Sequence, residues 1–117
     1  MNDTLANFDE IDDMLDGDPE AQVEFYEAAI TSFSDFCNDF KTCMSDRDLE
    51  DLRKVGHRIR PAAQMLGVTE INEKYEEAKQ LLKNEETDQK VTDVIEEVDY
   101  LCNTIIDDFK EKIDTIK

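Results

Sequence analysis

The sequence predicts an all-α protein, an up-down antiparallel four-helix bundle with a short extra helix at its N-terminus. Three observations carry this. Every long segment repeats its apolar residues at steps of three and four, and none alternates at period two over the length of a strand. Three Gly and two Pro in 117 residues leave too few breakers for a turn-rich β fold. The connections between periodic segments are a few residues each, which makes successive helices antiparallel neighbours.

Leu5, Phe8, Ile11 and Leu15 mark the short first helix, about residues 4–15, which stops before Gly17. Asp18-Pro19-Glu20 is a helix start: an N-cap carboxylate, a proline at the first turn and an acid facing the helix dipole. The second helix, 19–44, carries Val23, Tyr26, Ile30, Phe33, Cys37, Phe40 and Met44 on one stripe. Phe25 and Phe36 lie off that stripe, placed either to widen the buried face for the first helix or to form an exposed apolar docking patch. The third helix, 48–66, buries Leu49, Leu52, Val55, Ile59, Ala62, Ala63 and Leu66 and ends at Gly67, a C-cap residue. Thr69 is placed to cap a fourth, 70–83, with Ile71, Tyr75, Ala78 and Leu82 inward. Thr87 or Asp88 caps the fifth, 88–116, whose stripe runs Val91, Ile95, Val98, Cys102, Ile105, Phe109, Ile113 and Ile116.

One domain fills 1–117. Thirteen Lys and Arg against 31 Asp and Glu give a formal charge of −18, the wrong sign for general nucleic-acid binding or for an anionic membrane face. No apolar run approaches the ~20 residues that span a bilayer. The first twenty residues are acidic where a signal peptide is basic and then apolar, so a cytoplasmic location is expected, and the Met1 start is read as having no segment before it. An acidic bundle with polar outer faces is expected to be a monomer. Cys37, Cys43 and Cys102 form no CxxC pair and are expected to be buried, reduced thiols, with Cys37 and Cys102 at core spacing.

Metal chemistry finds no support. One histidine cannot supply a zinc site or the paired Glu-x-x-His of a di-iron bundle. A calcium loop over Asp12, Asp16 and Gly17 fails because Met14 takes a ligand position and Val23 stands where the bidentate Glu belongs. There is no phosphate-cradling glycine loop, and any Ser-His-Asp or Cys-His set would have to use His57.

The chain breaks its own pattern once. From Leu52 to Val68 it reads LRKVGHRIRPAAQMLGV, with Arg53, Lys54, Arg58 and Arg60 and no acid. His57 lies roughly 170° from the mean apolar direction of its helix. Arg53, Arg60, Pro61 and Gln64 fall on the same outward side. The expected site is therefore an exposed imidazole at the centre of a small cationic face. An imidazole nitrogen is a nucleophile, and nearby cations stabilise an anion delivered to it. A nucleophile with a positive cradle but no general base, metal or pocket suits transfer of a phosphoryl group held by a partner.

The run His57-Arg58-Ile59-Arg60-Pro61-Ala62-Ala63-Gln64-Met65-Leu66-Gly67 resembles the signature of histidine-containing phosphotransfer (HPt) domains of bacterial phosphorelays. That signature is a His, an apolar residue two on, a basic residue three on, small residues, and a Gly ten on. The likeness extends to the Gly17–Glu20 start of the long second helix and to the two helices that follow the histidine helix. It implies that His57 accepts a phosphoryl group, through Nε2, from the aspartyl phosphate of a response-regulator receiver domain and passes it to another receiver. A hybrid sensor histidine kinase is the implied upstream partner. Arg60 matches the basic position beside the phosphoryl oxygens, and Gly67 the glycine that ends the histidine helix. Arg53, Lys54, Arg58, Pro61 and Gln64 would form the docking surface, with Asp18 and Pro19 structural. The chain would need no cofactor of its own, magnesium being expected on the receiver.

Two positions depart from the family pattern. Arg60 replaces Lys, a guanidinium fork in place of a point charge. Pro61 replaces the usual Gly; it has no amide for the His57 carbonyl, and a bend or loosening of the helix is expected there, with a lowered docking surface. These departures support an alternative, a non-phosphorylated helical adaptor (a pseudo-HPt) that binds or sequesters a receiver.

Overall fold

The computed structural model describes residues 8–117. Five helices follow in order: α1 (Phe8–Met14), α2 (Pro19–Asp46), α3 (Leu49–Leu66), α4 (Thr69–Lys83) and α5 (Asp88–Ile116). Leu5 and the predicted first turn of the short helix lie outside the described residues. The described residues contain no strand, and the all-α bundle follows. Helix α2 packs on α3 and α5, α3 on α4, and α4 on α5, so the four long helices close a ring. The molecule measures 47 × 27 × 18 Å. Among the described residues, no helix is long and apolar enough to cross a membrane.

Local chemistry sets the helix ends. The Asp18 carboxylate accepts from the Glu20 and Ala21 amides at 3.1 and 3.4 Å, with Pro19 opening α2. These bonds satisfy amides that an α-helix leaves orphaned at its start. Asp48 caps α3 through the Asp51 amide at 3.0 Å, and Thr87 caps α5 through the Lys90 amide at 3.3 Å. Thr69 does not cap α4; it is the first residue of that helix, and Val68 occupies the cap position with its own side chain fully buried. Burial of Val68 fixes the chain there, and the threonine is carried one position past the place from which it could cap.

The pairing of α2 with α5 is antiparallel along its length. At one end Arg47 Nη2 lies 2.7 Å from Asp88 Oδ1 and donates to the Glu86 carbonyl at 2.8 Å. At the other end the Tyr26 and Phe109 rings stack at 5.9 Å. Helix α1 closes this second end: Ile11 is buried, and the Phe8 ring meets Tyr26 and Phe109 edge-on at 5.5 and 5.9 Å. Asp12 accepts from the Tyr26 hydroxyl at 3.0 Å and from Lys112 Nζ at 2.7 Å.

The buried face of α2 is rotated from the expected stripe. Tyr26, Phe33, Phe40 and Met44 are buried as expected, but Gln22, Ala29, Phe36 and Cys43 complete the face, while Val23, Ile30 and Cys37 are only half-buried. The cause is tertiary: α2 is shared between α3 and α5, so the centre of its apolar arc is set by where those neighbours sit. Phe36 accordingly packs toward α3, in contact range of Phe40 and beside Val55 and Ile59, and does not receive the first helix. Phe25 stands half-buried, edge-on to Tyr26 at 5.7 Å. All three cysteines are free thiols, with Cys43 and Cys102 buried and Cys37 half-buried, so Cys43 rather than Cys37 takes the core position on α2.

Candidate functional site

Helix α3 presents two chemically opposite faces. Leu52, Val55, Ile59, Ala63 and Leu66 are buried, as is Gly56. Arg53, Lys54, His57, Arg58, Arg60, Pro61 and Gln64 are all exposed. Among the described residues, nothing hydrogen-bonds or ion-pairs with the exposed His57 side chain. The helix runs unbroken through Pro61. Because proline has no amide, the His57 carbonyl lacks its usual bond from four residues on. The helix ends in a left-handed turn at Gly67, φ 74°, where a residue without a Cβ is favoured. There the Gly67 amide donates to the Gln64 carbonyl at 3.2 Å and the Val68 amide to the Ala63 carbonyl at 2.9 Å.

His57 does not stand on a bare helix surface. It lines a shallow depression of about 250 Å³ with Arg53, Gly56 and Arg60 from α3 and Tyr75 and Lys79 from α4. The floor is built by a close approach of the two helices. A Cβ placed on Gly56 would lie 2.0 Å from Tyr75 Cζ and 2.1 Å from Cε1, so only glycine admits this ring. The Tyr75 hydroxyl donates to the Arg53 carbonyl at 3.3 Å, and Lys79 Nζ sits 4.8 Å from the Tyr75 ring centre, a cation–π distance. Burial pushes the Tyr75 hydroxyl pKa up, keeping it a neutral donor. Tyr75 thus holds α4, and with it Lys79, beside the histidine.

The predicted cationic face divides in three. Arg53 and Arg60 share the depression with His57. Lys54 and Arg58 turn to the α2 side: Arg58 pairs with Asp39 at 3.3 Å, and Lys54 lies 3.7 Å from Asp51. Pro61 and Gln64 are exposed but do not line the depression. Charge in the depression is also more balanced than the sequence of α3 alone suggests. Glu76 of α4 accepts from Arg60 at 3.3 Å through Oε1 and pairs with Lys79 at 3.0 Å through Oε2. Among the described residues, Arg53 makes no ion pair.

Three participants are not evident from the sequence: its periodicity places Tyr75 only in the core, and nothing in it singles out Lys79 or Glu76. One signal was available. A glycine in mid-helix costs ~1 kcal/mol relative to alanine, so Gly56 beside His57 marks a close approach by another element.

Chemically, the arrangement offers an accessible imidazole on a rigid helix with cations on two sides and one carboxylate held between Arg60 and Lys79. Such a site can receive an anionic group onto nitrogen and neutralise part of its charge. The chain matches no protein-family model, no curated protein and no solved structure.

Proposed function

We propose that this protein is a phosphocarrier of the HPt type, accepting a phosphoryl group on His57 from the aspartyl phosphate of a receiver domain and passing it to another receiver. The observation that carries the reading is the exposure of His57 within a depression lined by Arg53, Arg60 and Lys79. In the transfer, the P–O bond to the receiver carboxylate breaks as a P–N bond forms at His57 Nε2, and the carboxylate leaves with its electron pair. Arg60 and Lys79 stand where they could meet the phosphoryl oxygens. To do so they exchange Glu76 for the incoming anion. Arg60 and Glu76 are each about half exposed, and exposed pairs of this kind contribute only ~0–1 kcal/mol, so the exchange is cheap. The depression is too shallow to enclose a substrate, which fits a reaction completed by a partner that brings its own magnesium. A hybrid sensor kinase and receiver domains would be the partners, in the cytoplasm, with the chain acting as a monomer.

A second reading, the non-phosphorylated adaptor, draws on the same Glu76. A carboxylate already seated on Arg60 could serve in place of the phosphoryl group in a protein that only binds receivers.

Transfer from a panel of pre-phosphorylated receivers separates the two. Acid-labile, alkali-stable label that disappears in His57→Gln, while receiver binding persists, supports the carrier. Binding without any transfer to the wild-type protein supports the adaptor and removes the carrier reading.

A further inference from the structure

Helices α4 and α5 border a groove of about 550 Å³ that shares no lining residue with the His57 depression. Each wall is one helical stripe. Glu70, Glu73 and Lys74 line it from α4. Asp93, Glu96, Glu97, Tyr100 and Leu101 line it from α5, at the three- and four-residue spacing that keeps side chains on one face. The α5 wall is about 12 Å long at the rise of an α-helix.

One end of the groove is apolar. The Tyr100 ring is 72% exposed, the most exposed large apolar side chain among the described residues, and Leu101 beside it is half-buried. The rest carries five carboxylates against one ammonium. That ammonium is occupied: Lys74 Nζ pairs with Glu97 across the groove and with Glu77 at 3.2 Å. Asp93 accepts from Gln89 Nε2 at 2.9 Å. Glu73 and Glu96, both exposed, make no hydrogen bond or ion pair among the described residues. Glu70 Oε2 is shut off from solvent and accepts no hydrogen bond, which is costly for a carboxylate oxygen. Like charges one turn apart also oppose the helix that carries them. Neither helix propensity nor packing accounts for these walls, and added cations would relieve them.

We propose that the groove docks a basic amphipathic helix of a partner protein, with an apolar side chain on Tyr100 and Leu101 and arginines or lysines paired with Glu73 and Glu96. Charge complementarity fixes the sign of the occupant. The apolar end favours a peptide over a simple polyamine, because it rewards a side chain that a polyamine lacks. Among the described residues no group of three or more ligating side chains could hold a metal ion, so the carboxylates are spread for separate side-chain cations. A helix lying in a groove presents anchors at three- and four-residue steps, the spacing that both walls show. Since the groove lies between α4 and α5 and the depression between α3 and α4, a docked helix leaves His57 free. The proposal is independent of phosphoryl transfer.

The test is to follow the backbone amide resonances of the full chain during titration with a synthetic peptide. The probe is a capped peptide of two heptads, with leucines on one face and arginines flanking them, at about 0.15 M salt. Shifts should concentrate on residues 70–74 and 93–101 and spare His57. Glu73→Gln with Glu96→Gln should weaken binding by roughly 2- to 30-fold, the worth of two exposed ion pairs, and Tyr100→Ala should weaken it as well. The control, Glu27→Gln with Asp114→Asn, removes the same charge from the groove between α2 and α5 and should leave affinity unchanged. All five positions are exposed, so folding is not at stake. Equal weakening by the control pair would overturn the proposal, as would equal affinity for a scrambled peptide of the same composition. Shifts centred on the His57 depression, spermine binding the groove as tightly as the peptide, or no binding at all would do the same.

Discussion

Gly56→Ala tests whether the depression is held open by a helix-to-helix contact. The substituted Cβ would sit 2.0–2.5 Å from three atoms of the Tyr75 ring, against an ordinary contact of 3.4–4 Å. The ring must withdraw by about 1.4 Å to restore a normal contact. It is 5% exposed and tethered through its hydroxyl to the Arg53 carbonyl, so withdrawal strains the α3–α4 seam and breaks the tether. Over-packing of this kind costs ~1–3 kcal/mol and a lost hydrogen bond ~1 kcal/mol, while alanine returns ~1 kcal/mol of helix propensity. A net loss of about 2 kcal/mol lowers the thermal midpoint of a chain this size by roughly 6–12 °C. The decisive assay is thermal unfolding of Gly56→Ala, Tyr75→Ala and the double variant. With the ring gone, the extra methyl has room, and Gly56→Ala should become stabilising by ~1 kcal/mol relative to Tyr75→Ala alone. The reasoning is refuted if Gly56→Ala stabilises the wild type, or if its cost is the same in both backgrounds.

Other substitutions probe the same architecture. Ile59→Asp places a carboxylate in a position 3% exposed and should cost at least about 4 kcal/mol, seen as loss of a cooperative denaturant transition, whereas Arg58→Ala, on the solvent side, should change stability by no more than about 0.5 kcal/mol. Burial, then the Asp12 carboxylate that its hydroxyl meets, pushes the Tyr26 pKa up. The folded protein thus keeps that proton to higher pH than the unfolded chain; the Tyr26 contribution is intact below about pH 10 and falls as pH climbs above it, so urea midpoints of Tyr26→Phe should decline less steeply than wild type in that range. On the proposed function, Glu76→Gln frees Arg60 at a saving of ~0.2–1 kcal/mol and should speed phosphoryl acceptance by roughly 1.4- to 5-fold. The gain should vanish in an Arg60→Gln background, and slower transfer on Glu76→Gln would show that the carboxylate assists.

The helices were legible in the sequence wherever one residue type has one physical role. Asp18-Pro19 satisfies orphan amides and presets a backbone angle, and Gly67 accepts a left-handed turn, so α2 begins and α3 ends where those residues stand. The outward face of α3 was equally legible, because its apolar and charged residues segregate cleanly around the helix. The phase of α2 was not. Tyr26, Phe33, Phe40 and Met44 belong to either of two neighbouring stripes, and the choice between Ile30 with Cys37 and Ala29 with Phe36 is made by α3 and α5. For the same reason the α4 side of the site escaped. Tyr75, Glu76 and Lys79 fall within two turns of one amphipathic helix, and only its packing against α3 brings them to His57.

The unusual charge of α3 also means something different once the fold is known. In the linear sequence, four cations without an acid look like a standing positive potential. In the folded chain, three of them meet carboxylates: Lys54 with Asp51, Arg58 with Asp39, and Arg60 with Glu76. With a formal net charge of −18 on the whole molecule, those pairs cancel most of the local field at the distances over which salt already screens it, about a Debye length of ~8 Å. Long-range steering toward His57 is therefore weak, and what remains is short-range. Arg53 stands without an ion-pair partner among the described residues, and Arg60 and Lys79 share a carboxylate that an incoming anion can replace. On the phosphocarrier reading, recognition then rests on shape and on exchange of partners at contact. The Gly56–Tyr75 approach matters more than the count of arginines, because it sets the distance at which the exchange can occur.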